Sequence, residues 1–158
     1  MGPIDREGTF RGTPVEWAVS ETKNKYPQFV VRLMATEKWV ETAEEMEALG
    51  VTEPSWVPWA EYEQSMVGYL VLFNNDGPIF NYEQVQAALG WDGASFSGLS
   101  EANHLDTTVL FRVEENTYQD VTRLQIAWID EKDASIERTL RALDPEKLKA
   151  LDSRYVGM

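Results

Sequence analysis

The chain has 158 residues, with 14 Lys and Arg against 27 Asp and Glu, a formal net charge of −13, and 43% hydrophobic residues that include six each of Trp, Tyr and Phe. This length and apolar content predict one domain over residues 1–158 with its own core, and the aromatic content excludes a disordered acidic tail. The absence of cysteine excludes disulfides, thiol nucleophiles and thiolate metal sites, and no apolar run reaches the roughly 18 residues of a membrane span, so a soluble cytoplasmic protein is expected.

In chain order, Thr13–Ser20 alternates around Val15, Trp17 and Val19, Glu21–Lys25 is a polar turn, and Gln28–Thr36 resumes with Phe29, Val31 and Leu33 at period two. Pro27 lacks an N–H and marks the start of that second strand. Glu41–Leu49 has helical composition with Gly50 as its stop. Pro54, Trp56, Pro58, Trp59 and Tyr62 predict an irregular packed loop. Ser65–Asn74 reads as a strand buried on both faces through its continuous Tyr69-Leu70-Val71-Leu72-Phe73 run, and Asn74–Pro78 is a turn. Tyr82–Leu89 predicts a short helix with Asn81 as N-cap and Gly90 beyond its end, and a second short helix covers Ser95–Leu99. Thr107–Glu115 is a strand with Val109, Phe111 and Val113 on one face, Asn116–Asp120 a turn, and Val121–Asp130 a strand placing Leu124, Ile126 and Trp128 together. Asp144–Tyr155 reads as an N-capped helix with Pro145 in its first turn.

Two hairpins around a helical segment predict a mainly β, α+β fold. A partly open five-stranded barrel of OB type, with a C-terminal helix, is the simplest template. Charge divides along the same lines. Residues 1–40 carry six cations and five acids, residues 107–158 eight cations and ten acids, and residues 41–106 twelve acids with no Lys or Arg. The acidity therefore belongs to an insertion at about 41–106. A recognition helix there would lack the cations that phosphates require, which weakens a winged-helix alternative.

Strand phase points to a binding face on the hairpins. If Phe29, Val31 and Leu33 face inward, Arg32 faces outward; the same rule turns Arg112, Arg123 and Gln125 outward from the closing hairpin. With Lys23 and Lys25 at the first hairpin's tip and Tyr26 and Tyr118 as loop aromatics, these residues match the cationic groove and stacking platforms of single-strand binders. The structural alternative is that the arginines are solvated strand residues paired with Glu16 or Glu114.

The stretch from Val109 to Asp130, with its Glu115-Asn116-Thr117-Tyr118-Gln119-Asp120 turn, resembles the closing hairpin of phage and prophage proteins related to single-stranded-DNA-binding proteins. Glu21-Thr22-Lys23 with Tyr26-Pro27 is similar to their opening hairpin, and Leu89-Gly90-Trp91-Asp92-Gly93 to a short helical insertion. The resemblance implies an OB-like fold, a place in a phage or prophage replication or recombination module, and non-catalytic binding of single-stranded DNA beside replication or recombination proteins. Those bacterial-type binders often end in an acidic tail with an apolar tip, whereas this chain ends Ser153-Arg154-Tyr155-Val156-Gly157-Met158, so no tail-mediated partner role is expected.

Other assignments compete. A face bearing Glu41, Glu44, Glu45, Glu47, Glu53, Glu61, Glu63, Asp76, Glu83 and Asp92 could imitate the phosphates of a duplex, contact a basic partner, or serve solubility alone. Trp39, Trp56, Trp59 and Trp91 are read as core rather than stacking residues. His104 has no nucleophile elbow near it. Glu21-Thr22-Lys23 has the E-x-K spacing of some metal-dependent nucleases but falls in a turn. No catalytic residue, metal or cofactor is therefore assigned, and exposed strand edges allow a homo-oligomer.

Overall fold

The computed structural model describes residues 2–134, and the helix expected over Asp144–Tyr155 lies outside them. Strands β1 (Gly2–Pro3), β2 (Gly8–Glu21), β3 (Pro27–Val40), β4 (Ser55–Pro58), β5 (Gln64–Val71), β8 (Val109–Tyr118) and β9 (Val121–Glu131) form one mixed sheet in the order β1-β5-β3-β2-β8-β9. β4 joins β3 on the edge that β5 also uses. A separate small ribbon pairs β6 (Phe73–Asn74) with β7 (Gly77–Pro78). Three short helices, α1 (Ala43–Leu49), α2 (Phe80–Leu89) and α3 (Phe96–Glu101), and a 3-10 turn over Ala60–Tyr62 complete the described residues.

The sheet is built on β2. This strand pairs with β3 along nearly all its length, but with β8 only over Gly8–Gly12. Irregular register between Arg11 and Gly12, and again between Pro14 and Glu16, breaks its ladder to β3 where it must bend. Gly12 permits the bend: a Cβ there would run into the Met34 carbonyl oxygen and lie 2.8 Å from the Phe111 ring. The resulting coil brings β9 back against β5, where Ile126 packs 3.1 Å from the position a Cβ would take on Gly68. The parallel β1–β5 pair makes the sheet mixed, and no backbone ladder joins β9 to β5, so it is not closed into a barrel.

Facing residues across a ladder share a side of the sheet. The inner side carries the fully buried Phe10, Phe29, Val31, Leu33, Phe111 and Val113, with Phe10 stacked on Phe111 at 5.6 Å between centroids. Each such phenylalanine contributes about 1.5–3 kcal/mol of apolar burial. α2 lies against β9 and adds Val85 and Ala88 to this core. α3 hangs on β2, because Trp17 Nε1 donates to the Ser100 carbonyl at 3.0 Å and the buried His104 ring meets Trp17 edge-on at 4.8 Å.

Both hairpins form as predicted; the opening one extends beyond its predicted ends, whereas the closing one begins at Val109 rather than Thr107 and runs further at its turn. Pro27 opens β3, and Gly50 and Gly90 end α1 and α2 in left-handed conformations. Several expectations are corrected. The segment expected as an irregular loop around Pro54–Tyr62 contains β4, because Trp56 seats edge-on against Trp39 at 5.6 Å and extends the ladder beside β3. β5 is not buried on both faces: Leu70, paired with the buried Phe29, faces the inner side, whereas Tyr69, paired with Val30, is 65% exposed on the outer side. Asn81 is not an N-cap. It lies inside α2 and donates to the Val71 carbonyl, while Ile79 caps the helix without a side-chain bond. The turn expected over Asn116–Asp120 narrows to Gln119 and Asp120, both at positive φ, as a two-residue hairpin loop demands. Trp128 does not join Leu124 and Ile126 inside: Arg112 pairs with Trp128 but Val113 pairs with Ile126, and this bulge sends Ile129 into the core instead.

Gln84 sits in this core at 3% exposure, and neither its side-chain nitrogen nor its oxygen is hydrogen-bonded to a described residue. An orphaned buried amide costs about 1–3 kcal/mol. Gln84→Leu should therefore raise the urea midpoint by an amount equivalent to about 1 kcal/mol or more. Gly12→Ala should lower stability by about 3 kcal/mol in the same measurement, because a backbone carbonyl must shift to admit the methyl group.

Candidate functional site

The opening hairpin puts Lys23, Lys25 and Tyr26 at its tip. The turn closes through Thr22 N–H to the Tyr26 carbonyl and Lys25 N–H to the Thr22 carbonyl, both 2.9 Å, with Lys25 at φ 69°. Neither lysine makes an ion pair with a described residue. From this tip the outer side of β2, β3 and β5 runs as cross-strand rows: Ser20, Gln28 and Val71; then Ala18, Val30 and Tyr69; then Glu16, Arg32 and Val67. Arg32 thus sits diagonal to Tyr69, at the roughly 7–8 Å of such neighbours. Arg32 Nε donates to Glu16 Oε1 at 2.6 Å and Nη1 to Ser65 Oγ at 3.4 Å.

The closing hairpin places Arg112, Arg123 and Tyr118 on the same outer side, opposite Trp128, Asn116 and Val121 respectively. Arg112 is three-quarters buried; it donates to Thr9 Oγ1 at 3.1 Å and lies 3.5 Å from Glu114. Arg123 is exposed without an ion pair among the described residues, and Tyr118 is 71% exposed. The two groups stand apart. Arg112 faces Thr9 and Arg32 faces Glu16, seven residues along β2, which is roughly 20 Å of strand. The hairpin tips leave from opposite ends of that strand. Lys23, Lys25, Tyr26 and Arg32 are therefore brought together with Tyr69, whereas Arg112, Tyr118 and Arg123 form a second group. Sequence reasoning missed Tyr69 because an unbroken apolar run carries no phase of its own; the alternation of its partner β3 was the available signal.

At the Gly8 end lies a cleft of about 590 Å³ between Asp5–Thr9, the end of β3, and α1. Its wall holds a chain of alternating charge. Asp5 accepts from Arg6 at 2.9 Å, Arg6 approaches Glu45 at 3.8 Å, and Glu45 accepts from Lys38 at 2.6 Å. The Lys38 side chain is only 5% exposed, with its ammonium near the Phe10 and Trp59 rings at 5.6 and 5.9 Å. α1 has no fully buried residue, so this pair and the partly buried Leu49, packed against the core, fasten it to the sheet. Glu45 consequently leaves the acidic face expected for 41–106. Of the twelve acids there, the other eleven are exposed. The hydrogen bond from Arg6 holds the Asp5 carboxyl below its usual value despite slight desolvation, so the stability it adds is present above the ordinary aspartate range and is lost as pH falls through the lowered value.

Trp59 and Trp91 are core, and Trp39 and Trp56 are half-buried, with Arg11 4.1 Å over the Trp56 ring. Glu21 and Lys23 of the E-x-K triplet are exposed at the hairpin tip, and no group of three or more His, Asp or Glu suited to a metal ion occurs among the described residues. No helix among the described residues is long and apolar enough to cross a membrane. No protein-family model matches the chain, and no curated protein matches it.

Removing the Glu45 carboxylate leaves a buried ammonium without its counter-ion. Glu45→Ala should cost about 3 kcal/mol in urea unfolding, and amide exchange should rise first across residues 43–49.

Proposed function

We propose that the protein binds single-stranded DNA without catalysing a reaction on it, using the outer side of β2, β3 and β5 and the tip that joins β2 to β3. The observation that carries this reading is Tyr69, exposed on a sheet face with Gln28 and Arg32 on adjoining rows and, at the strand ends, two lysines that pair with no described acid. An aromatic ring on an open sheet offers a sequence-tolerant stacking platform, and cations beside it track the backbone. The coiled order β5-β3-β2-β8-β9 supports an OB-like reading of the fold. Arg123 and Tyr118 extend the same outer side toward the other hairpin, and the resemblance of that hairpin supports a role in a phage or prophage replication or recombination module.

A second reading is favoured by the eleven exposed carboxylates of 41–106, which no described cation neutralises. It makes this segment a contact for a basic protein, and would be supported by capture that glutamine substitutions at Glu41, Glu44 and Glu47 abolish.

Titration of a fluorescent oligothymidine at two salt concentrations tests the first reading. Tyr69→Ala should weaken binding about tenfold, the scale of one lost base stack. Lys25→Ala should flatten the log–log salt dependence by about 0.7. No binding by the wild-type protein at low salt would refute the reading.

A further inference from the structure

We propose that Glu16 is a built-in competitor for the phosphate contact at Arg32, an inference that rests on the nucleic-acid reading of the outer sheet face. Glu16 and Arg32 stand directly opposite each other on β2 and β3. The carboxylate takes the Nε edge of the guanidinium at 2.6 Å, and Ser65 Oγ takes Nη1 at 3.4 Å. A guanidinium recognises phosphate best through two parallel N–H donors, and the Nε side is one of its two such forks. Glu16 thus occupies, on the Nε edge of Arg32, the position a phosphate oxygen would take.

The competitor is displaceable. Glu16 is 68% exposed in its side chain and Arg32 39%, so the pair lies in solvent-like surroundings and the carboxylate can turn to water with most of its hydration in place. Such pairs are worth about 0.2–1 kcal/mol. A bound phosphate must first overcome that amount, and the freed carboxylate then repels the strand. Glu16 weakens one contact, and so favours rapid exchange of the strand along the face. The pair at Arg112 and Glu114 differs, because Arg112 is three-quarters buried and donates its Nη1 to Thr9 Oγ1, and Glu114 is 3.5 Å away.

The test is a double-mutant cycle with oligothymidine at 0.1 M salt on Glu16→Gln, Arg32→Ala and the two together, with Glu83→Gln on α2 as a control of equal charge change. Glu16→Gln should tighten binding by about twofold to fivefold, the full energy of an exposed pair. The gain should vanish in the Arg32→Ala background, and Glu83→Gln should leave affinity near wild type. Unchanged or weaker binding by Glu16→Gln, or the same gain without Arg32, would overturn the competitor role while leaving a strand-binding face intact. Wild-type protein that binds no oligothymidine would instead overturn the reading beneath it.

Discussion

The bend of β2 at Gly12 is the constraint on which the other features depend. A strand that pairs with β3 through most of its length and with β8 through only its first five residues cannot stay flat. Its bulges turn the sheet, and the missing side chain at Gly12 lets the Met34 carbonyl and the Phe111 ring close in from both sides. From this come the seating of Ile126 on Gly68 and the enclosed inner side filled by Phe10, Phe29 and Phe111. Tyr69, paired with Val30 on the opposite side of the sheet, stays exposed among the described residues.

Electrostatics follows the same division. The net charge of −13 argues against nucleic acid when spread over the molecule, but the structure keeps its parts separate. Acids of 41–106 lie on the helices and on the loops at the strand ends, apart from the Gln28, Arg32 and Tyr69 rows. One of them, Glu45, is drawn inward to neutralise Lys38 and hold α1, so it contributes to the fold rather than to the surface field. The outer face itself is close to balanced, since Glu16 answers Arg32 and Glu114 answers Arg112. On the reading proposed above, a face so balanced would bind a strand weakly and reversibly, with the lysine-bearing tip supplying the first attraction.

Hairpins were legible in the sequence because period-two alternation and turn residues are local signals, and Gly50 and Gly90 marked helix ends for the same reason. What was not legible depends on partners. β4 exists because Trp56 finds Trp39, and Trp128 turns outward because one residue is inserted opposite Arg112 and Val113; neither contact has a local signature. Tyr69 was hidden in an apolar run that only its pairing with Val30 places in phase. Arg32, Arg112 and Arg123 were correctly turned outward, but their separation along β2 follows from the register of β2 with β8, which periodicity does not contain.

The proposed site is the outer side of β2, β3 and β5, where a single strand would lie. Backbone amide chemical shifts recorded during an oligothymidine titration test it most directly. The account predicts that the largest changes fall on Gln28, Val30, Arg32, Tyr69 and the Lys23–Tyr26 tip, with α1 unaffected. Changes confined to residues 41–63, or none at saturating oligothymidine, would contradict it.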